Sequence, residues 1–235
     1  MYEHTIICLA NSRKPPQGRC IAGKVWTAGV VGPWVRPVSE RATHEVSEAD
    51  RRYPDGHLAT VPHIITIPLV KASPISFQLE NHVLEGREYW QKVGVASWAN
   101  VLSCLDGHDP LFWSHSQSTY HGQNDKVAEA DVGRFTSSLK LIHVRDLELR
   151  VQLEDGYQGR PGKKKVRGRF IYNAQQYLLS VSDAEFEDEF LRRGEGTYPI
   201  GAAVLCISMV EVFHQFSFRV IASVITQERC EAAHA

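Results

Sequence analysis

The N-terminal region contains a short segment rich in positive charge and hydrogen-bond donors. It reads NSRK, and the following apolar run GRCIAGK adds two more cations. Side chains of this kind can follow a phosphodiester backbone. In the nearby segment WVRP, an aromatic ring and a guanidinium plane could stack on a base. We therefore predict a nucleic-acid-binding patch made of Asn11, Ser12, Arg13, Lys14, Arg19, Lys24, Trp34 and Arg36.

The same residues also have a purely structural interpretation. In it, Trp34 is a core residue, Arg36 pairs with an internal carboxylate, and Arg13 and Lys14 are solvated loop charges. The sequence alone leaves both interpretations open.

The densest cluster of positive charge lies further along the chain, in GRPGKKKVRGRF. Its glycines let a backbone approach a ligand closely, and a long basic loop can follow a nucleic-acid groove. Charges at a hairpin tip can also serve only solubility or protection of a sheet edge. From this segment we predict that nucleic acid contacts Arg160, Lys163, Lys164, Lys165, Arg167, Arg169 and Tyr172.

Patterns typical of metal and catalytic sites are weak in this sequence. His108, His115 and His121 lie in one irregular stretch without i,i+4 pairing or cysteine partners, so we predict surface histidines, no metal site and no cofactor. No nucleophile elbow, Walker A loop or dinucleotide fingerprint is present. Cys20 lies among cations, but we expect it to be a small buried hydrophobe. The acidic stretch DAEFEDE is the basis for an alternative, a metal-dependent nuclease.

Composition limits how the protein could attract an anionic ligand. The chain has 235 residues, 43% of them hydrophobic and 23% charged, with a formal net charge of -1. An anion must therefore be held by a local patch and not by global basicity. The five cysteines form no C-x-x-C pair, which favours reduced thiols in a cytoplasmic protein. A basic leader and a long apolar run are both missing, so we expect no membrane insertion.

Strand-like segments dominate the first half of the chain. Runs rich in β-branched and aromatic residues span 2–9, 19–27 and 33–38, and VPHIITIPLVKASP forms a fourth. Between them, RATHEVSEADRRYPDG suits a short capped helix or a turn. Residues 85–105 show near-helical spacing of apolar residues, which predicts one amphipathic helix.

A second set of strands begins near Ser138. SLKLIHVRDLELRVQL and KVRGRFIYNAQQYLLSVS alternate apolar and polar residues, which predicts antiparallel partners joined by the basic hairpin. SDAEFEDEFLRRGEG predicts a short helix opened by a capping box from Ser182 to Glu185 and closed at Gly194. Two apolar strands follow, and QERCEAAHA is expected to be a frayed tail. Small sheets of this kind avoid free edges by closing into five-stranded Greek-key barrels.

Several segments in a fixed order resemble the bacterial dual OB-containing domain family. The resemblance runs from about residue 5 to about residue 226, and is carried by NSRK, GRCIAG, WVRPVS, TVPHIITIPL, QLENH, YLLSVSDAEFE and LCISMVEVFHQFSFRVIASVI. It implies a mainly β protein with a few short helices and two tandem OB-like five-stranded barrels. It also implies a context of bacterial conflict or genome defence, with nucleic acid as the proposed ligand. The corresponding division is a first barrel with its trailing helix at 1–112, a linker at 113–137 and a second barrel at 138–235.

Together these patterns favour a non-catalytic module that binds nucleic acid or a nucleotide. The expected ligand is single-stranded nucleic acid or DNA, and the expected setting is a bacterial defence or DNA-processing system, with a protein encoded in the same operon as a further partner. One alternative is an adaptor that binds proteins without touching nucleic acid, and the metal-dependent nuclease is the other.

Overall fold

Strands make up most of the protein. The computed structural model describes residues 1–156 and 161–234. The first sheet contains six strands within this described part: β1 (Tyr2–Lys14), β2 (Gly18–Thr27), β3 (Val30–Val38), β4 (His63–Ala72), β5 (Asn81–Leu84) and β6 (Gln91–Val95).

The first sheet closes on itself as a Greek-key barrel. Its strands follow the order β1-β2-β3-β5-β4, and β4 returns to pair with β1. The β3–β5 pair is parallel and the other pairs are antiparallel. β6 extends the sheet by pairing with the first residues of β4. This order and closure are those of the OB fold, because a Greek-key path through five strands leaves the barrel with few unpaired edges.

The second sheet repeats the same plan. In the described residues its strands are β7 (Lys126–Ala128), β8 (Leu139–Glu154), β9 (Lys163–Tyr172), β10 (Gln175–Val181), β11 (Gly196–Met209) and β12 (Phe216–Ile225). The order β8-β9-β10-β12-β11 closes through β11 and β8, with β10 and β12 parallel. β7 adds to the sheet beside β12. The two barrels thus confirm the predicted fold, each with one strand more than the expected five.

Five short helices connect or flank the strands in the described residues. They are α1 (Trp98–Ser103), α2 (Pro110–Trp113), α3 (Glu129–Val132), α4 (Ala184–Arg193) and α5 (Gln227–Ala232). α4 joins the third and fourth strands of the second barrel. Its N-cap is Asp183 and not the predicted Ser182, because the Asp183 carboxylate accepts from the Glu185 and Phe186 amides, whereas the Ser182 hydroxyl donates to the Ile221 carbonyl.

Two further local predictions from the sequence are wrong, and one that left two alternatives open is settled. Residues 85–105 form β6 and then α1 instead of one helix, because β6 pairs with β4 and Ser97 caps α1 in a capping box with Asn100. Residues 41–56, expected to form a short helix or a turn, form turns and isolated bridges. The expected frayed tail contains α5, which Thr226 caps and which buries Cys230.

The segment expected to link the barrels contains structure of its own. It holds β7 and α3, and the adjoining side chains of Phe112 and Trp113 pack into the core of the second barrel. The core of the first barrel also continues into the second, since Leu141 and Cys206 belong to the same buried cluster as Ile6. The two barrels therefore share a packed apolar boundary.

A half-buried carboxylate joins the two barrels at this boundary. Asp106 follows α1, and its Oδ1 accepts from Lys24 Nζ of β2 at 2.6 Å. Its Oδ2 accepts from Trp34 Nε1 of β3 at 3.1 Å and from the backbone amide of Leu141 in β8 at 2.7 Å. The Asp106 amide in turn donates to the Leu141 carbonyl. We call Asp106, Lys24, Trp34 and Leu141 the Asp106 clamp.

A second polar contact crosses the same boundary nearby. Arg36 Nη2 of β3 lies 3.1 Å from Glu80 Oε1 and donates to Ser138 Oγ at 2.7 Å. The Ser138 hydroxyl also donates to Glu80. Because Ser138 directly precedes β8, this buried triad ties the first barrel to the start of the second.

Substituting Asp106 with Asn tests how much the Asp106 clamp stabilises the fold. The change leaves the buried Lys24 ammonium without its carboxylate, which should lower the free energy of unfolding by about 3 kcal/mol. Denaturant unfolding measures this value. The exposed Asp146 provides the matched control, and Asp146→Asn should change stability by less than about 0.5 kcal/mol. Equal effects of the two changes would contradict a stabilising role for the clamp.

Candidate nucleic-acid interface

The predicted N-terminal patch is divided by the fold into separate environments. Lys24 and Trp34 belong to the Asp106 clamp, and Lys24 Nζ also lies 5.4 Å from the Trp34 ring centroid. Arg36 is only 3% exposed and has a carboxylate partner in Glu80. These three side chains lie on β2 and β3, the strands that form the ligand-binding face of many OB barrels. Here that face packs against the second barrel.

Three further members of the predicted patch are wholly or partly buried. Asn11 and Ser12 are buried near the end of β1. Arg19 is half-buried in β2, where its amide and carbonyl pair with Val46. Its guanidinium donates to the Gly18 carbonyl. None of the three contacts the Asp106 clamp directly.

The tip of the β1–β2 hairpin instead reaches across to the second barrel. The Arg13 amide donates to the Ser182 carbonyl at 2.8 Å. Its guanidinium pairs with Glu187, at 2.7 Å, and with Asp188 of α4. Lys14 Nζ lies 2.8 Å from Glu211 Oε1, between β11 and β12. A loop of the first barrel therefore forms part of the surface of the second.

The predicted basic hairpin is also divided between different surfaces. Lys163 and Lys165 line a groove on the second barrel, whereas Lys164 Nζ lies 3.3 Å from Glu195. Arg167 lines the same groove but is buried, with Nη2 donating to Glu154 Oε2 at 3.0 Å. Arg160 lies outside the described residues.

Arg169 and Tyr172, the last two residues predicted from the basic hairpin, lie away from the groove. Arg169 Nη1 is 3.8 Å from Glu148 Oε1 of β8. The Tyr172 ring packs on Trp113, with ring centroids 4.9 Å apart, and burial raises the pKa of its hydroxyl. The structure thus brings Arg13, Lys163, Lys165 and Arg167 together and separates them from the other predicted residues.

The groove has a volume of about 1140 Å³ and we call it the second-barrel groove. Its floor is formed by β9, the end of β10 and β12, and its walls by residues 119–121, the β11–β12 hairpin and Arg13 with Pro15. In OB order β9 and β10 are the second and third strands, and β11–β12 is the loop between the fourth and fifth. This groove therefore occupies the usual OB ligand position.

Positive charge predominates in the second-barrel groove. Among the described residues, six Lys or Arg side chains and two carboxylates, Asp125 and Glu187, line it. Lys126, Lys163 and Lys165 lie within 4 Å of no carboxylate oxygen in the described part of the chain. Unpaired ammonium groups at the wall of a groove attract an anionic polymer more strongly than paired ones.

Aromatic rings stand beside these ammonium groups. Tyr120 is 91% exposed and Phe213 is 64% exposed, so both rings are accessible to a ligand in the groove. Lys126 Nζ lies 4.4 Å from the centroid of the Phe216 ring. Proteins that bind single-stranded nucleic acids use these two kinds of side chain together. Aromatic rings stack on the bases, and cations contact the phosphates.

A tight turn holds Phe213 in position. His214 and Gln215 both have positive φ angles, 48° and 68°, as a two-residue type I′ hairpin turn requires. The amide of each flanking phenylalanine, Phe213 and Phe216, donates to the carbonyl of the other. The turn thereby fixes where the two rings leave the backbone.

Arg219 fixes the wall that carries Tyr120. This side chain is almost fully buried, and its Nη atoms donate to the carbonyls of Phe112, Ser114 and Asn124 and to Ser116 Oγ. Desolvation lowers the pKa of its guanidinium to about 10. Arg219 therefore ties residues 112–124 to β12, which orders the loop around Tyr120.

Sequence reasoning missed the groove residues Tyr120, Lys126, Phe213, Phe216 and Arg219. The apolar run QFSFRVIASVI did predict a strand, so the aromatic hairpin before it could have been recognised from the sequence. Residues 119–126 carried no such signal, because their irregular polar composition resembles that of a connecting loop.

The acidic stretch considered for a nuclease is occupied by internal contacts. Asp183 accepts from the Val224 amide and Arg229, Glu185 also pairs with Arg229, and Glu189 pairs with Arg193. In the described residues, no group of three or more His, Cys, Asp or Glu side chains is placed to hold a metal ion.

All five cysteines are free thiols. Cys20 is half-buried and not fully buried as expected for a small core residue. Burial raises the pKa of the Cys8 thiol to about 12.

Two closed Greek-key barrels, one with an open basic groove, define a tandem OB-fold protein. A family model for the dual OB-containing domain matches residues 4–224. The chain belongs to this family, as the sequence resemblance indicated. No curated protein and no solved structure matches the chain. None of the described helices combines the length and apolar character needed to cross a bilayer.

Titration of Lys165 tests the electrostatics of the groove. Desolvation, and secondly the charge of Lys163, lower the pKa of the Lys165 ammonium. The Lys163→Gln variant should raise this pKa but leave it below the ordinary lysine value, because desolvation is the larger cause. NMR of isotope-labelled lysine side chains across alkaline pH measures the change. A fall in the Lys165 pKa in the variant would contradict the described environment.

Proposed function

We propose that the protein binds single-stranded nucleic acid in the second-barrel groove, without catalysing a reaction. Lys126, Lys163 and Lys165 contact phosphates, and Tyr120 and Phe213 stack on bases. The observation that carries this proposal is the placement of unpaired ammonium groups beside exposed aromatic rings at the usual OB ligand position.

Single strands suit this groove better than duplexes. Stacking on Tyr120 or Phe213 requires the face of a base that has no stacked neighbour, and a duplex hides these faces. The near-neutral net charge of the chain also means that the groove must supply the attraction locally.

The cellular setting follows from the family resemblance. A role in a bacterial defence or DNA-processing system, a cytoplasmic location and a protein partner from the same operon stay predictions, as do the adaptor and nuclease alternatives. The binding experiments described next distinguish the adaptor hypothesis from the nucleic-acid-binding hypothesis.

Two adjacent lysines provide a matched test of the phosphate contacts. Lys163 and Lys164 are both exposed, but Lys163 lines the groove and Lys164 pairs with Glu195. Lys163→Glu should weaken binding of a labelled single-stranded oligonucleotide by about tenfold at low salt, since it replaces a phosphate contact with a repulsive charge. Fluorescence anisotropy measures Kd across a salt series.

Lys164→Glu is the control because it makes the same change in net charge outside the groove. We expect its Kd to stay within about twofold of the wild-type value. Equal weakening by both variants would show a response to overall charge and not to the groove. A wild-type Kd above about 10⁻⁴ M at low salt for every DNA and RNA strand would refute direct binding and favour the adaptor.

Two exposed tyrosines test the stacking contact in the same way. Tyr120→Ala should weaken single-strand binding by about tenfold, the effect of losing one base–aromatic stack, and should affect duplex binding less. Tyr89, 58% exposed in the first barrel, is the control, and Tyr89→Ala should leave Kd unchanged. The stacking role would be wrong if the two variants bound single strands equally well.

A further inference from the structure

A smaller cavity lies between the two barrels, beside the second-barrel groove. It has a volume of about 400 Å³, and we call it the interbarrel cavity. Strands β1, β2 and β3 of the first barrel line one side, and the ends of β10 and β11 with β12 line the other. The groove and the cavity share Arg13, Pro15, Ser182, Phe213 and Val220, so a ligand lying in the groove passes the mouth of the cavity.

Buried polar side chains line the interbarrel cavity with unused hydrogen-bonding capacity. Ser12, Arg36, Gln78 and Ser208 are each no more than 6% exposed. The Arg36 guanidinium is already engaged, since its Nη2 donates to Ser138 Oγ and pairs with Glu80. Gln78 Oε1 accepts from Asn81 Nδ2, while its Nε2 donates to no described residue. Polar groups in such an environment are normally satisfied, so the free Gln78 amide nitrogen is a donor suited to a polar ligand.

The remaining walls of the cavity are largely apolar. Met209, Val210, Val212 and Val220 are among the apolar residues that line it. Apolar walls around a few convergent hydrogen-bonding groups are typical of sites for small organic ligands, and about 400 Å³ lies at the small end of their usual range.

A nucleobase has the chemistry that this lining requires. It is a flat heterocycle with apolar faces and an edge of alternating donors and acceptors, and proteins that extrude a base read this edge by hydrogen bonds between apolar walls. We infer that the interbarrel cavity takes up one unstacked base from a single strand held in the second-barrel groove. This inference rests on the proposed function and adds a specific subsite to it.

The test uses two signals from one complex. The probe is a single-stranded DNA oligonucleotide with one 2-aminopurine and a terminal fluorescein. Anisotropy of the fluorescein reports binding to the protein, and 2-aminopurine emission reports whether the base leaves the stack. With the wild-type protein, emission should rise severalfold when anisotropy shows saturation.

Filling the cavity should remove the second signal and keep the first. Val210→Phe places a ring in the cavity, and Ile171→Phe is the control because Ile171 is exposed on β9 and does not line the cavity. Val210→Phe should still bind the strand without the emission rise, whereas Ile171→Phe should behave as wild type. Gln78→Met, which keeps the side-chain size but removes the amide, should weaken strand binding about fivefold, the effect of one lost hydrogen bond. If Val210→Phe does not fold, the affinity of Gln78→Met still tests the cavity subsite.

The two signals distinguish failure of the inference from failure of the proposed function. Saturated anisotropy without an emission rise in the wild-type protein, or an equal rise in Val210→Phe, would overturn the cavity subsite and leave groove binding in place. Wild-type affinity in Gln78→Met would also overturn the subsite. A lack of binding in the anisotropy signal would overturn both.

Discussion

The half-buried carboxylate of Asp106 is the polar group that holds the two barrels together at their boundary. It accepts hydrogen bonds from Lys24 and Trp34 of the first barrel and from the Leu141 amide of the second. A charge in this position is costly to bury unless every partner is in place, so the clamp favours one arrangement of the barrels. The groove depends on that arrangement, because Arg13 forms one of its walls only when the β1–β2 hairpin reaches α4.

The two barrels share a strand order but use equivalent surfaces differently. On the first barrel, the β2–β3 face carries Lys24, Trp34 and Arg36 and is buried against the second barrel. On the second barrel, the equivalent β9–β10 face stays open and carries Lys163 and Lys165. Two copies of one fold can have different roles, because function depends on the residues of a site and not on the fold alone. In our account the second barrel supplies the groove, and the first barrel supports it and lines one side of the interbarrel cavity.

The sequence predicted the barrels better than the interface between them. Alternating apolar residues identified β8, and apolar runs rich in β-branched residues identified β4 and β12, because these patterns are local properties of a strand. The partners of the basic residues were not predictable, since Lys24 and Asp106 are 82 residues apart and Arg13 and Glu187 are 174 apart. The helix predicted over 85–105 failed for a similar reason: pairing with β4 overrides the local helical spacing. Tyr120 was missed because its neighbours have only the composition of a loop.

The central claim is that nucleic acid contacts the second-barrel groove and not Lys24 and Trp34 of the first barrel. Photocrosslinking of a single-stranded oligonucleotide carrying 5-iodouracil, followed by mass spectrometry of the crosslinked peptides, tests this directly, because the reagent reacts preferentially with nearby aromatic rings. Our account predicts adducts on Tyr120 and Phe213, which are exposed beside the groove lysines. Adducts on Trp34, with Tyr120 and Phe213 unmodified, would contradict it.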